Sequence, residues 1–384
     1  MTKRTVCVVT GTRAEYGIFY PVMKKIQTSK ILELQLVATT MHLSEEFGLT
    51  YKQIEKDGFS IDAKVENLLA SDSKSSIAKS TGLATMLLSD IFSRLQPDIV
   101  LVLGDRFETH AAATTAMLMN IPIAHIHGGE ITEGAVDEQI RHSITKMAFL
   151  HFTSVPEYKD RVIQMGESPE RVFCTGAPGL DNILNLPLLD KITLEEELQW
   201  KIQSPTALFT FHSETLSSLD VKQQIDRVLH AVKKSNVNVL FTYANADDGG
   251  RLINQTIEQF VLENKEKYHI VKSLGQLKYL SALKHVDLLI GNASSGIVEA
   301  ASFYKPVVNI GDRQKGRLQS GNVIDCSINA ISNAIDKALS NGFKEKCSNV
   351  INIYGEGKSA ASIVNILEES KLSVIKRFVD NKTL

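Results

Sequence analysis

The chain lacks the signals that would tie it to a disulfide framework, a membrane, a nucleic acid or a nicotinamide. Only four of its 384 residues are cysteine (Cys7, Cys174, Cys326 and Cys347), and no two form a C-x-x-C pair. Cys7 lies inside an apolar run, so the set reads as reduced thiols in a reducing compartment, with no zinc site. No apolar run approaches the roughly 18 residues that a membrane-spanning helix needs. Met1-Thr2-Lys3-Arg4-Thr5 leads straight into the strand at 6–9 without the apolar core of a signal peptide, which predicts a soluble cytoplasmic protein. Charge of one sign is missing as well: 42 Lys and Arg face 44 Asp and Glu, so nucleic acid is not expected as a partner. The turn after the first strand, Thr10-Gly11-Thr12-Arg13-Ala14-Glu15-Tyr16-Gly17, is not G-x-G-x-x-G, which disfavours a dinucleotide cofactor. No internal repeat and no low-complexity segment is present.

What is present is alternation. Short apolar runs at 6–9, 35–38, 99–103, 123–126, 151–153 and 172–174 are separated by helix-length stretches, the pattern of a buried parallel sheet. Residues 177–205 hold three prolines and an acidic, Leu-rich patch at 194–198; the alternation then restarts with 207–209, 237–243, 269–271, 287–290 and 306–310. At about 150 residues per domain the length accommodates two to three domains. The reading is an α/β chain of two Rossmann-like domains, 1–178 and 206–356, joined by a linker at 179–205. A C-terminal helix within 357–384, amphipathic over 360–372, is expected to pack back across the lobes. In open α/β sheets ligands bind beyond the carboxyl ends of the strands. Two such junctions, Gly104-Asp105-Arg106 and Gly291-Asn292-Ala293-Ser294-Ser295-Gly296, therefore predict an interdomain cleft.

Several strand ends carry groups able to do chemistry. Arg13 can fork onto a phosphate, hold a carboxylate of the opposite lobe, or stand as an ordinary surface arginine at a turn. Asp105 and Arg106 follow a buried strand, a position suited to a ligand; the plain alternative is a salt-bridged loop pair. The next junction reads Ile123-Ala124-His125-Ile126-His127-Gly128-Gly129-Glu130. His125 and His127 share one face if the strand extends through 127, and Glu130 lies behind a Gly-Gly turn. Two histidines without a third ligand point to hydrogen bonding or acid–base work rather than to a metal. Asp137 and Arg141 stand four apart on a helix and are neighbours, either in the cleft or as an exposed pair. In the second lobe Phe211-His212-Ser213-Glu214-Thr215 ends a strand, so His212 either reaches the cleft or remains a solvated loop histidine. Ser294 and Ser295 open a helix whose hydroxyls and N–H groups can meet a diphosphate. Glu299, one turn into that helix, offers the acceptor pair suited to a ribose diol. An N-cap serine with an acidic first turn accounts for the same residues without any ligand. The loop Gly311-Asp312-Arg313-Gln314-Lys315-Gly316-Arg317 is cationic and glycine-bounded, beyond what a structural loop needs.

These motifs, together with Gly104-Asp105-Arg106-Phe107-Glu108 and Arg141-His142-Ser143-Ile144-Thr145-Lys146, resemble those of the hydrolysing UDP-N-acetylglucosamine 2-epimerases of sialic acid synthesis. They run in the same order over nearly the whole chain, to about residue 370. The resemblance implies two Rossmann-like lobes of the glycosyltransferase-B type, with UDP held mainly by the second. By resemblance Asp105, Asp137, Arg141 and His212 match catalytic positions, and Arg13, Arg106, Ser294, Ser295, Glu299 and Arg313 match nucleotide-binding ones. Many relatives carry Glu where His127 stands, which leaves open whether His127 acts or Glu130 takes over. The implied partner is a UDP-sugar; neither a cofactor nor a metal is called for, and a homo-oligomer, dimer or tetramer, is expected.

The implied reaction removes the proton on carbon 2 and expels UDP from carbon 1. The resulting 2-acetamidoglucal is hydrated on the other face to free N-acetylmannosamine. A weak carbon acid and a departing diphosphate require a positioned base and strong anion stabilisation. Asp105, Asp137 and His212 are the acid–base candidates, with the arginines and the Ser294 turn receiving the charge. A glycosyltransferase would use Ser294, Glu299 and Arg313 equally well but leaves the carboxylates and histidines of the first lobe unexplained. A non-hydrolysing epimerase usually has Pro where Ala14 stands. A nucleotide-sugar-binding regulator is the non-enzyme option. The same motifs also serve relatives that act on UDP-2,4-diacetamido-2,4,6-trideoxyglucose for legionaminic acid; UDP-N-acetylglucosamine is the substrate expected here.

Overall fold

A computed structural model describes residues 3–71, 73–133, 135–214, 219–245 and 248–380. The chain forms two compact units, one of Met1–Glu130, Asp137–Leu184 and Tyr354–Leu384, the other of Ile131–Val136 and Asn185–Ile353.

In the first unit β1 (Arg4–Thr10), β2 (Leu32–Thr39), β3 (Ala63–Val65), β4 (Ile99–Leu103), β5 (Ile123–Ile126), β6 (Leu150–Thr153) and β7 (Val172–Cys174) make one parallel sheet. Its order is β3-β2-β1-β4-β5-β6-β7. The helices between them are α1 (Arg13–Thr28), α2 (Tyr51–Lys56), α3 (Lys74–Leu95), α4 (Phe107–Leu118), α5 (Asp137–Met147) and α6 (Pro156–Gln164), with α7 (Asp181–Asn185) at the exit. Alternate strand residues feed two separate cores. Val6, Val8, Ile99 and Leu101 pack with Phe19, Val22 and Ile26 of α1, whereas Cys7, Val9, Val100 and Val102 pack with Leu88 and Phe92 of α3 and with Ala112 and Ala116 of α4. Both faces are buried, which is why these strands read as unbroken apolar runs.

The second unit repeats the plan. α8 (Lys191–Leu198) precedes β8 (Thr206–Thr210), after which come α9 (Val221–Lys234), β9 (Asn238–Thr242), α10 (Gly250–Leu262), β10 (Tyr268–Val271), α11 (Gly275–His285) and β11 (Leu288–Gly291). Then follow α12 (Ser294–Val298), β12 (Val307–Ile310), β13 (Val323–Cys326), α13 (Ile331–Leu339) and α14 (Asn341–Ser348). The sheet order is β10-β9-β8-β11-β12-β13, all parallel. In each sheet the winding direction reverses once, between β1 and β4 and between β8 and β11. Those switch points are where doubly wound sheets leave a crevice for a ligand.

The last helix, α15 (Ser359–Glu369), belongs to the first unit. Asp181 caps it, accepting from the Ser359 and Ala360 amides at 3.0 and 2.8 Å, and Ala360, Ile363 and Leu367 enter the core shared with α1. β3 and β13 have no apolar run to announce them: they are short, and Lys64 and Asp325 point outward. No helix among the described residues is long and apolar enough to cross a membrane.

Phe209 is fully buried in β8, its ring 4.9 Å from that of Phe241 and 6.4 Å from that of Phe211. Phe209→Ala is expected to lower stability by about 3–5 kcal/mol, the cost of a ring-sized cavity that the sheet cannot close. Urea unfolding monitored by circular dichroism measures it; a loss below about 1 kcal/mol shows that the site refills.

Candidate active site

At the first switch point β4 runs into Gly104, whose φ of +73° turns the chain so that Asp105 and Arg106 follow the strand end. Asp105 pairs with the Arg141 guanidinium of α5; the arginine side chain is 0% exposed and the aspartate 19%. Arg141 also donates to the Glu130 carbonyl at 3.0 Å and lies 3.5 Å from Glu138 Oε2. Removing a guanidinium from water is costly, and several acceptors at once are what offsets it. Asp137, half-exposed, is the first residue of α5, one turn ahead of Arg141.

β5 ends at Ile126, and His127 has a left-handed backbone with φ +64°. The expectation that His125 and His127 share one strand face is therefore corrected, because extension stops before 127. His125 is a core residue, with Nε2 2.7 Å from the Gly104 carbonyl and Nδ1 3.3 Å from Thr145 Oγ1. Burial pushes its pKa down to about 3, so it stays neutral. His127 instead sets Nδ1 2.5 Å from Glu130 Oε1, and the buried Glu130 takes a further bond from Ser154 Oγ at 3.0 Å. A carboxylate behind Nδ1 fixes the ring and leaves Nε2 for proton transfer. The Gly-Gly turn is a necessity here: Gly129 has φ +79°, and a Cβ there would collide with the Tyr158 carbonyl.

Arg13, half-buried, opens α1 directly after its N-cap Thr12. Glu15 closes the capping box, taking the Gly11 and Thr12 amides at 2.7 and 3.1 Å on Oε2 and Thr109 Oγ1 at 3.0 Å on Oε1. Arg106 directs Nε to Glu108 Oε1 at 2.7 Å. Thus Arg106 is held by its own neighbour, while burial and the Glu108 charge push the Glu15 pKa up to about 7 against the opposing pull of Arg106.

At the second switch point one residue ties three loops, through its side chain to one and through its backbone carbonyl to another. The buried Asn292 accepts from the His212 amide at 2.8 Å and donates to the His212 carbonyl at 2.8 Å; its own carbonyl accepts from Gln314 Nε2 at 2.8 Å and Arg313 Nη1 at 3.5 Å. His212 Nδ1 accepts from the Asn245 amide at 3.4 Å, which leaves Nε2 as the nitrogen that carries the ring proton. Glu214 takes the Asp312 amide at 2.7 Å, fixing the cationic loop; burial raises its pKa. Thr215 lies outside the described residues. Ser294 is exposed and Ser295 half-buried, the latter bonded to the Tyr279 hydroxyl. α12 has only five residues, and Glu299, buried, ends it where a 3₁₀ turn over Ala300–Phe303 takes over. The expectation that Glu299 lies within a continuing helix is corrected accordingly.

The motifs give no role of their own to Glu15, Glu108, Glu138, Ser154, Asn292, Gln314 and Glu214, although Glu15, Glu108, Asn292, Gln314 and Glu214 stand inside the motif stretches. Glu15 also carries the Thr-x-x-Glu spacing of a capping box. No cluster of three or more His, Cys, Asp or Glu able to hold a metal occurs among the described residues.

A family model described as UDP-N-acetylglucosamine 2-epimerase matches residues 24–368. The chain is 44% identical over 346 residues to the GDP/UDP-N,N'-diacetylbacillosamine 2-epimerase (hydrolyzing) of Campylobacter jejuni, a match covering 90% of each protein. It is 38% identical over 386 residues to polysialic acid biosynthesis protein P7 of Escherichia coli, covering 98% of this chain and 97% of that one. The crystal structure of UDP-GlcNAc 2-epimerase from Neisseria meningitidis bound to UDP-GlcNAc shares the fold, with a TM-score of 0.80 at 21% identity over 95% of this chain and 100% of that one. The chain belongs to the hydrolysing UDP-N-acetylglucosamine 2-epimerase family, and its two Rossmann-like units have the glycosyltransferase-B type of fold. The motif resemblance read from the sequence is borne out.

Because Glu15 holds its proton to about pH 7 when folded and to about 4.5 otherwise, it contributes stability that is complete below about 4.5 and lost as the pH rises through about 7. Glu15→Gln, which keeps the capping geometry, is expected to flatten the fall of Tm across that window. Calorimetric scans of both proteins at matched pH check this; identical slopes would place the proton elsewhere.

Proposed function

We propose that the protein is a hydrolysing UDP-sugar 2-epimerase. It takes a UDP-linked 2-acetamido sugar, releases UDP and returns the free sugar inverted at carbon 2. The observation that carries this reading is the set of oriented acid–base groups at the first switch point, Asp105 held by the buried Arg141 and His127 held by Glu130, in a chain of this family.

The roles follow from the chemistry. Asp105, Asp137, His127 and, from the second unit, His212 are the proton-transfer candidates, and Glu130 orients His127. Arg141 fixes Asp105. A base takes the carbon 2 proton, the electron pair forms the carbon 1–carbon 2 double bond, and the carbon 1–oxygen bond breaks with its electrons on UDP. Water then supplies hydroxyl to carbon 1, and an acid returns a proton to carbon 2 on the opposite face. Arg13, Arg106 and Arg313, with the Ser294 and Ser295 hydroxyls and turn amides, stabilise the departing diphosphate. Glu299 accepts from the ribose diol. The reaction is redox-neutral and needs no nicotinamide.

For the sugar we favour UDP-N,N'-diacetylbacillosamine, which is UDP-2,4-diacetamido-2,4,6-trideoxyglucose, on the 44% identity to the Campylobacter jejuni enzyme. UDP-N-acetylglucosamine, giving N-acetylmannosamine for sialic acid, is the second reading; the Escherichia coli polysialic acid protein supports it.

Incubation with each UDP-sugar, and with the GDP form of the first, is expected to release nucleoside diphosphate and free 2-epimerised sugar. The specificity constant should be at least about tenfold higher for the diacetamido UDP-sugar, a gap of about 1.4 kcal/mol in transition-state binding; the reverse order installs the second reading. Asp105→Asn and His212→Ala are each expected to lower kcat by at least about a hundredfold while leaving UDP affinity, read by calorimetric titration, nearly intact. Normal turnover in both would remove these residues from the chemistry. In deuterium oxide the product should carry deuterium at carbon 2, and in oxygen-labelled water the label at carbon 1. Absence of either label refutes elimination and hydration.

A further inference from the structure

We propose that Lys376, in the segment after α15, is a positioning residue for this reaction: it clamps the carboxyl end of α5, the helix that carries Asp137 and Arg141. The inference rests on the functional reading above for the meaning of those two residues, but the clamp itself is a matter of geometry.

Along the segment after α15, Ile375 is 73% exposed, whereas the side chain of the next residue, Lys376, is 19% exposed and turned onto the first unit. Its ammonium donates to the carbonyls of Ala148, Lys146 and Thr145 at 2.6, 2.7 and 3.2 Å and lies 2.7 Å from Glu167 Oε2. Those carbonyls end α5, where a helix leaves its acceptors without intrahelical partners and its dipole favours a cation. Glu167, itself buried, anchors the other side: Lys146 Nζ reaches Oε1 at 2.5 Å and His151 Nε2 reaches Oε2 at 3.1 Å. Burial pushes the Glu167 carboxyl up, but these three donors outweigh it and hold its pKa down at about 2, so the anchor is an anion near neutral pH.

The segment has a built seat. The Val379 amide donates to the Gly166 carbonyl at 3.0 Å, and the Phe378 ring lies where a Cβ on Gly166 would stand. Lys146 Nζ is 5.0 Å from the centre of that ring.

What the clamp fixes is the position of α5 along its own axis. Thr145, whose carbonyl Lys376 holds, is one turn from Arg141 on the same helix face, and its hydroxyl meets His125 Nδ1 at 3.3 Å. His125 in turn holds the Gly104 carbonyl, next to Asp105, the partner of Arg141. Slippage of α5 by a single residue is a shift of about 1.5 Å, and misplacements of about 1 Å cost on the order of a hundredfold in rate.

The test compares Lys376→Met, Lys376→Arg and Phe378→Ala in the full-length protein, by steady-state kinetics with the preferred UDP-sugar, calorimetric titration with UDP, and hydrogen exchange of the α5 amides. Lys376→Met is expected to lower kcat by at least about tenfold, with KM and UDP affinity within about twofold of wild type. Exchange in α5 should accelerate by about tenfold. Lys376→Arg, which keeps the charge and the donors, should return most of kcat, and Phe378→Ala should fall between. Unchanged α5 exchange in Lys376→Met overturns the clamp whatever the activity. Faster exchange with unchanged kcat overturns the positioning role while the functional reading stands. Equal losses of kcat and UDP affinity also overturn it, by showing a general structural defect. A wild-type protein inert on every UDP-sugar overturns the functional reading alone, and the exchange arm still decides the clamp.

Discussion

The first unit is organised around a charge that has no access to water. Arg141 is fully buried, and a guanidinium in that position is tolerable only if its donors are met. The acceptors come from the β4 end through Asp105, from the turn after β5 through the Glu130 carbonyl, and from α5 itself through Glu138. Each of these segments carries a group assigned here to the chemistry. Pairing the arginine therefore also sets the spacing of these three segments, so that, on the function proposed above, stability and catalysis would select the same geometry. The cost of such a device is rigidity of composition: a shorter acceptor, or a lysine in place of the forked guanidinium, leaves part of the arrangement unpaired.

The two units solve one problem with different chemistry. Both are wound in the same strand order, and both present loop residues at the point where that order reverses. In the first, ion pairs define the loops. In the second, the neutral Asn292 does so, binding the His212 backbone at both its amide and its carbonyl. There the charged Glu214 adds a bond to the Asp312 amide, so the cationic loop is ordered by a neutral amide and one carboxylate together.

Much of this was legible in the sequence, and the failures have physical reasons. Strands buried on both faces advertise themselves as apolar runs, and strand-end motifs report a ligand crevice, which is why both sheets and the motif residues could be placed. Short edge strands such as β3 and β13 carry too few apolar residues to register. The two histidines share a face only if the strand extends through 127, and the left-handed backbone at His127 separates two side chains that a continuous strand would align. The pattern carries a helix past Glu299, whereas α12 ends at Val298, because helix length is set by tertiary contacts that no local pattern reports. Apart from Glu167, the partners of Lys376 are backbone carbonyls roughly 230 positions away, which carry no side-chain signature at all.

The first unit is assembled from three separate stretches and the second from two, since the chain leaves the first at 131, returns at 137, leaves again at 185 and returns at 354. A gene cut after codon 184 would encode a first unit without α15, so that Asp181 would lose the two amides it caps, and without the residues that close the core over α1. The remaining half would lack the six-residue excursion whose Glu133 meets Lys315 in the cationic loop. Neither lobe is thus a contiguous stretch of the gene that a single cut could lift out intact.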